Sequence, residues 1–244
     1  MAYEYYAIDL PGKSLYEKSF NVKIRRITPI EQKFILSLSD KQQKTNKDYL
    51  DFIKKLVEFD NLDMSFEELY WFDLQYILYR IRFTTYEKYP LQLAFTCNNK
   101  ECNEKFKYTL NLGDLPIMTP EDIPDLKKTI TLQNLGEVKI RQKILQDDLT
   151  IDAFMKAHGI KEDDVQIRLL LLDLCLISNG KSLDEMYSLA EQDTVTAADI
   201  VAIEKWFTES IWGVKEFVNV KCPKCGKEAS RAYFLRLEDF FSAL

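Results

Sequence analysis

Phe217-Val218-Asn219-Val220-Lys221-Cys222-Pro223-Lys224-Cys225-Gly226 holds half of an unusual constellation. Val218 and Val220 alternate with Asn219 and Lys221, the period of a half-buried strand, and the strand runs directly into two cysteines separated by two residues. Gly226 permits the tight turn that must follow. Ala229 to Leu237 reads as the return strand. Such a knuckle aims backbone amides at thiolate sulfur, and two thiolates are half of a tetrahedral metal site.

The other half lies far upstream. From Leu91 to Leu112 the apolar period is again two, with Leu91, Leu93 and Phe95 before Cys97-Asn98-Asn99-Lys100-Glu101-Cys102 and Phe106, Tyr108 and Leu110 after it. Both cysteine pairs therefore sit at hairpin tips. Cys97, Cys102, Cys222 and Cys225 are the expected ligands of one structural zinc, a zinc ribbon opened by a long insertion. Two separate redox or disulfide pairs remain as the other reading, although redox pairs ordinarily open a helix after a strand. Cys175, inside the apolar run Leu169 to Ile177, reads as a core residue.

Between and before the hairpins the chain reads as helical. Thr28-Pro29-Ile30-Glu31 is a helix start, giving a helix from Pro29 to about Leu38, and Ser39 to Lys47 reads as a loop. Apolar spacing predicts a helix from Asp48 to Phe59, and the capping box Ser65-Phe66-Glu67-Glu68 predicts another. That helix carries two apolar rows, one of them Phe72, Tyr76, Tyr79 and Phe83, which reads as core. Tyr3 to Asp9 and Phe20 to Ile27 read as strands. Pro116, Pro120 and Pro124 make Asp114 to Asp125 a surface crossing, and Lys128 to Leu132 with Glu137 to Ile144 a second hairpin. Helices are expected over about 148–158, 163–177, 183–191 and 197–211. The fold class is α+β, helical groups combined with antiparallel hairpins. It divides into 1–115, an N-terminal helical region with the first cysteine hairpin, and 116–244, a hairpin, a helical region and the second cysteine hairpin, joined by zinc into one globular unit.

Composition narrows the function. The 244 residues are 46% hydrophobic, enough for a sizeable core without disulfides. Five cysteines, and a start at Met1-Ala2-Tyr3-Glu4 without a signal peptide, suit a reducing cytoplasm. The stretch Leu169 to Ile177 is interrupted by Asp173 and falls short of the roughly 20 apolar residues a membrane span needs. The net charge is -6, spread without a basic block, which argues against general nucleic-acid binding. Lys23, Arg25 and Arg26, like Lys139, Arg141 and Lys143, alternate with apolar residues as the solvated face of a strand.

Catalysis finds no machinery. Four thiolates leave no open coordination position, and His158 closes a helix where a cationic residue suits the dipole. The acidic pairs Glu67/Glu68, Asp147/Asp148 and Asp163/Asp164 stand near helix starts and read as caps. Lys100, Lys105, Lys107, Lys221, Lys224, Lys227 and Arg231 gather near the cysteines, which keeps a zinc-ribbon nucleic-acid protein of transcription or replication as the alternative. Glu101, Glu104 and Glu228 dilute them.

Across Asn21 to Leu115, the order of features resembles the baseplate hub assembly proteins of T-even-type contractile-tail bacteriophages. The resemblance runs through Val22-Lys23-Ile24-Arg25-Arg26-Ile27-Thr28-Pro29, Leu78-Tyr79-Arg80-Ile81-Arg82, Leu93-Ala94-Phe95-Thr96-Cys97 and Leu110-Asn111-Leu112-Gly113-Asp114-Leu115. It implies a non-enzymatic role with other tail or baseplate hub proteins as partners, in the host cytoplasm during assembly and in the tail baseplate of the virion. The oligomeric state stays open.

Overall fold

The computed structural model describes residues 3–39, 46–86, 90–123, 126 and 128–233. Strands β1 (Tyr5–Ile8), β2 (Val22–Arg25) and β3 (Val57–Phe59) form an antiparallel sheet in that order, with Val22 between Ile8 and Phe59. Val22 and Ile24 point into the core and Lys23 outward, as alternation requires. Helix α1 (Pro29–Ser39) starts where expected, with Glu31 accepting from the Thr28 N–H at 2.8 Å and Thr28 Oγ1 accepting from the Glu31 N–H at 3.3 Å.

Helix α2 (Asn46–Lys54) is shorter than its apolar spacing implies. The Arg25 N–H takes the Leu56 carbonyl at 3.0 Å, and Val57 leaves the helix to pair with Ile24. A β-branched residue beside an open strand edge gains more from the sheet than from another turn of helix. Of the expected loop from Ser39 to Lys47, Ser39 instead ends α1 and Asn46 and Lys47 open α2, while 40–45 lie outside the described residues. The capping box at Ser65 forms, but it opens only a 3-10 turn, Phe66–Glu68. The backbone then extends at Leu69, Tyr70 bridges Ile144, and helix α3 (Trp71–Tyr86) begins after the break. Phe72, Tyr76 and Tyr79 are buried on it, so this aromatic row is core.

Strands β4 (Leu91–Thr96) and β5 (Lys105–Leu110) form the first cysteine hairpin. A two-residue strand, β6 (Ile117–Met118), then pairs with β9 (Gly213–Val214), a contact with no local signature in the sequence. Gly213 lies at φ +90° with Phe72 O only 3.3 Å from where a Cβ would stand, so both conformation and space call for glycine. Pro120 opens a short 3-10 turn, and Pro124 lies outside the described residues. Strands β7 (Thr129–Leu132) and β8 (Gly136–Lys139) form the second expected hairpin, whose return strand ends at Lys139 and not at Ile144. Helices α4 (Leu145–Ala157), α5 (Val165–Leu176), α6 (Leu183–Glu191) and α7 (Ala197–Glu209) follow, the last three capped by the side chains of Asp164, Ser182 and Thr196. Strands β10 (Phe217–Lys221) and β11 (Glu228–Ala232) make the second cysteine hairpin. The rest of the expected return strand, 234–237, lies outside the described residues.

One core joins the first sheet, α2 and α3 to Val218, Val220 and Tyr233 of the second cysteine hairpin. A second core lies among Leu132, Ile140 and α4 to α7, and a smaller cluster of Phe72, Ile123 and Trp212 lies between the two, meeting the first through Trp71 and the second through Phe207. The architecture is α+β, with small antiparallel sheets and seven α-helices among the described residues.

Two of the expected surface cations correct the strand-face reading. Arg25 is 4% exposed and grips Glu31 through both terminal nitrogens, at 2.9 and 2.7 Å, while donating to the Arg26 carbonyl. Arg141 repeats this on Asp147, at 2.8 and 2.7 Å, and donates to the Gln142 carbonyl. In each case the acid also accepts from the backbone N–H three residues before it. Lys143 lies 4.6 Å over the Trp71 ring and pairs with Asp148. The clamps turn each chain segment from strand into helix, so the alternation that suggested solvent instead hides a bidentate ion pair.

The first clamp predicts acid sensitivity. Arg25, with the Thr28 N–H and hydroxyl, holds the Glu31 carboxyl down to about 2, below its ordinary 4.5. The folded state thus favours the charged form, so this stabilisation is complete above pH 4.5 and is lost as pH falls towards 2. Glu31→Gln is expected to cost about 2 kcal/mol at pH 7 and to flatten the acid limb of stability, read by urea unfolding across pH.

Candidate metal centre

The two cysteine hairpins place their tips together. In the first, the Cys97 N–H donates to Glu104 O at 2.8 Å, and in the second the Cys222 N–H donates to Lys227 O at 2.9 Å. Both ladders thus close behind the first cysteine of each pair. The residue after each second cysteine is left-handed, Asn103 at φ 47° and Gly226 at φ 72°. Asparagine and glycine tolerate this conformation best, so two spacers of unequal length reach the same local geometry. In the longer turn Asn99 organises the backbone, its carbonyl accepting from Cys102 N–H and its own N–H reaching Cys97 Sγ at 3.5 Å.

The close sulfur contacts run between hairpins: Cys97 Sγ to Cys225 Sγ at 3.6 Å and Cys102 Sγ to Cys222 Sγ at 3.8 Å. All four sulfurs lie within 4.8 Å of one another. A tetrahedral ion with metal–sulfur bonds of about 2.3 Å has sulfur–sulfur edges of about 3.8 Å, so the cluster has the size of one ion's coordination shell. All four thiols are free. Exchanging the hairpins maps Cys97 onto Cys222 and Cys102 onto Cys225, which turns one close contact into the other. The arrangement is a pseudo-two-fold pair of knuckles, compatible with a metal.

Cys97 and Cys222 are buried, Cys102 is half-buried and Cys225 is exposed. The Lys227 backbone N–H holds the Cys225 thiol down to about 7. At Cys102 the Glu104 backbone N–H works in the same direction, but burial and the crowd of sulfurs push the thiol up to about 12. Four thiolates cannot accumulate here without a cation, so a metal bound by them would expel protons.

Side chains around the tips also join the hairpins. Lys224 reaches Glu104 at 3.6 Å, and Arg231 donates to Thr96 O at 2.7 Å. Lys221 pairs with Glu228 within its own hairpin. Several cations that gather here in sequence are therefore engaged by the interleaved acids or by backbone. The residues are legible in the sequence, whereas these links exist only once the distant hairpins meet.

Two residues set apart at the outset stay apart. His158 ends α4, its ring stacked 4.0 Å from Phe154 with Nδ1 against Phe154 O. Cys175 lies in the second core, its thiol pushed up to about 12 by burial. Cys175→Ala is expected to leave metal content unchanged and to cost about 1 kcal/mol of packing, checked by metal analysis alongside chemical denaturation.

No helix among the described residues is long and apolar enough to cross a membrane. No curated protein and no solved structure matches the chain. The profile of a family described as T4 bacteriophage base plate protein matches residues 3–242, and the chain therefore belongs to that family of phage baseplate proteins.

Proposed function

We propose that this chain is a non-enzymatic assembly protein of a phage tail baseplate hub, acting through contacts with other tail or hub proteins. It works in the host cytoplasm during assembly and enters the virion tail. The observation that carries the reading is the family match across residues 3–242.

Within that role, Cys97, Cys102, Cys222 and Cys225 hold one structural zinc. The support is the donor set: four thiol sulfurs from two hairpins, spaced as the edges of a tetrahedron. Zinc bound there supplies positive charge for the thiolates and a cross-link between two distant stretches of chain. Such a site has no open position for substrate or water, which suits a clamp and not a reaction centre. The residues themselves do the rest. Asn99 and the left-handed Asn103 and Gly226 shape the knuckles, and Lys224–Glu104 and Arg231–Thr96 set the hairpins against each other. The halves 1–115 and 116–244 are thereby held as one partner-binding unit.

Chelation tests this directly. Association with tail or hub proteins in a pull-down from infected cells is expected to be lost with the metal and recovered when zinc is returned. Association untouched by complete metal removal would separate the site from the function.

A further inference from the structure

A groove runs along the second hairpin, away from the cysteines. Two cavities of about 530 and 650 Å³ share Leu126, Thr129 and Trp206 as walls, so they continue into each other past the Trp206 indole. One side of the second cavity is the α7 face formed by Ala202, Lys205, Trp206 and Glu209, at the spacing of a single helical stripe. The opposite side is β7, through Thr129, Ile130 and Thr131.

The register of the hairpin shows what β7 offers. Ile140 N–H donates to Lys128 O at 3.0 Å, and Ile130 stands opposite Val138, with Leu132 opposite Gly136. In an antiparallel ladder hydrogen-bonded pairs alternate, so 128, 130 and 132 bond to β8 while Thr129 and Thr131 turn their N–H and C=O groups away from it. Among the described residues the sheet has two strands, and none of those residues bonds the outward groups. An open edge beside a helix-walled groove is the geometry in which an extended peptide adds as a further strand.

The far end of the groove indicates the peptide's chemistry. Lys128 and Lys139 line it and make no ion pair among the described residues, whereas Arg141 beside them is occupied by Asp147. Glu17 is the acid on the same wall. Two unpaired ammonium groups on one wall want a carboxylate.

We propose that this groove receives an extended segment of a partner protein, paired as a strand with Thr129 and Thr131, with its acidic end against Lys128 and Lys139. It goes beyond the clamp role of the cysteines and stands whether or not they hold an ion.

The probe is a fluorescein-labelled hexapeptide of alternating valine and threonine ending in two aspartates, with a twin ending in two lysines. Anisotropy is expected to show saturable binding of the acidic peptide to the full chain, roughly tenfold or more tighter than its twin. Amide exchange at Thr129 and Thr131 should slow only when it is bound. Thr131→Pro removes an outward N–H and leaves the β8 ladder intact, and is expected to weaken binding at least about tenfold. Lys128→Glu with Lys139→Glu, both exposed, should do the same for the acidic peptide and reverse the preference for its twin. No saturable binding, or binding indifferent to both variants, overturns the proposal. So does slow exchange at Thr129 and Thr131 in the free protein, which would mean that this chain or a second copy already covers the edge.

Discussion

Cys222→Ser is expected to empty the metal site and to lower the melting temperature by roughly 10 °C in zinc-containing buffer. An ion bound only by the folded state stabilises it by RT ln(1 + [L]/Kd), about 4 kcal/mol at 1,000-fold excess over Kd, and for a chain of this size each kcal/mol moves the midpoint by about 2–4 °C. Cys97→Ser on the other hairpin should cost the same, because Cys97 belongs to the same cluster. The double variant should then lose little more than either single one. Two independent sites would instead give additive losses, so differential scanning calorimetry of the three variants separates one shared ion from two local ones.

Gly12→Ala is expected to be the most damaging alanine substitution at any described glycine with negative φ. The backbone at Gly12, φ -83° and ψ 10°, accepts alanine without strain, so the effect isolates contact from conformation. A Cβ there would stand 2.6 Å from Asp73 Oδ2 and 2.9 Å from Trp212 Nε1. Neither can retreat: Asp73 is 0% and Trp212 1% exposed. Asp73 is fixed by the Gly12 N–H at 2.8 Å and the Tyr16 hydroxyl at 2.8 Å, and Tyr16 in turn accepts from the Tyr70 N–H. Burial already pushes the Asp73 carboxyl up to about 6, and displacing its donors would worsen its position. A loss of about 3–5 kcal/mol follows, measured by urea unfolding. Gly136→Ala is the contrasting control. It sits at φ +68° with nothing within 4 Å, so only strain of about 1–2 kcal/mol applies.

What sequence showed and what it hid divide along sequence distance. Cysteine spacing, the period-two runs around 91–110 and 217–221, and the helix start at Thr28 are local signals, and the structure places hairpins and a helix there. The hidden features depend on partners far along the chain. Val57-Glu58-Phe59 continues a helical spacing and becomes a strand only because β2 offers an edge. Tyr70 interrupts a helix because Ile144 lies across from it, and Ile117 and Met118 are strand-like only beside Gly213 and Val214. Arg25 alternates as a surface residue would, yet Glu31, six residues on, draws it inside. The cysteines were legible because thiol pairs at hairpin tips have few other uses, although the contact of Cys97 with Cys225 rather than with Cys102 required the fold.

X-ray absorption at the zinc edge, on protein purified without added chelator and paired with metal analysis, tests the shared ion most directly. The expected result is about one zinc per chain in a shell of four sulfurs near 2.3 Å, lost in Cys97→Ser and Cys222→Ser alike. Protein that carries no stoichiometric metal, or keeps its zinc after Cys97→Ser or Cys222→Ser, would contradict the account.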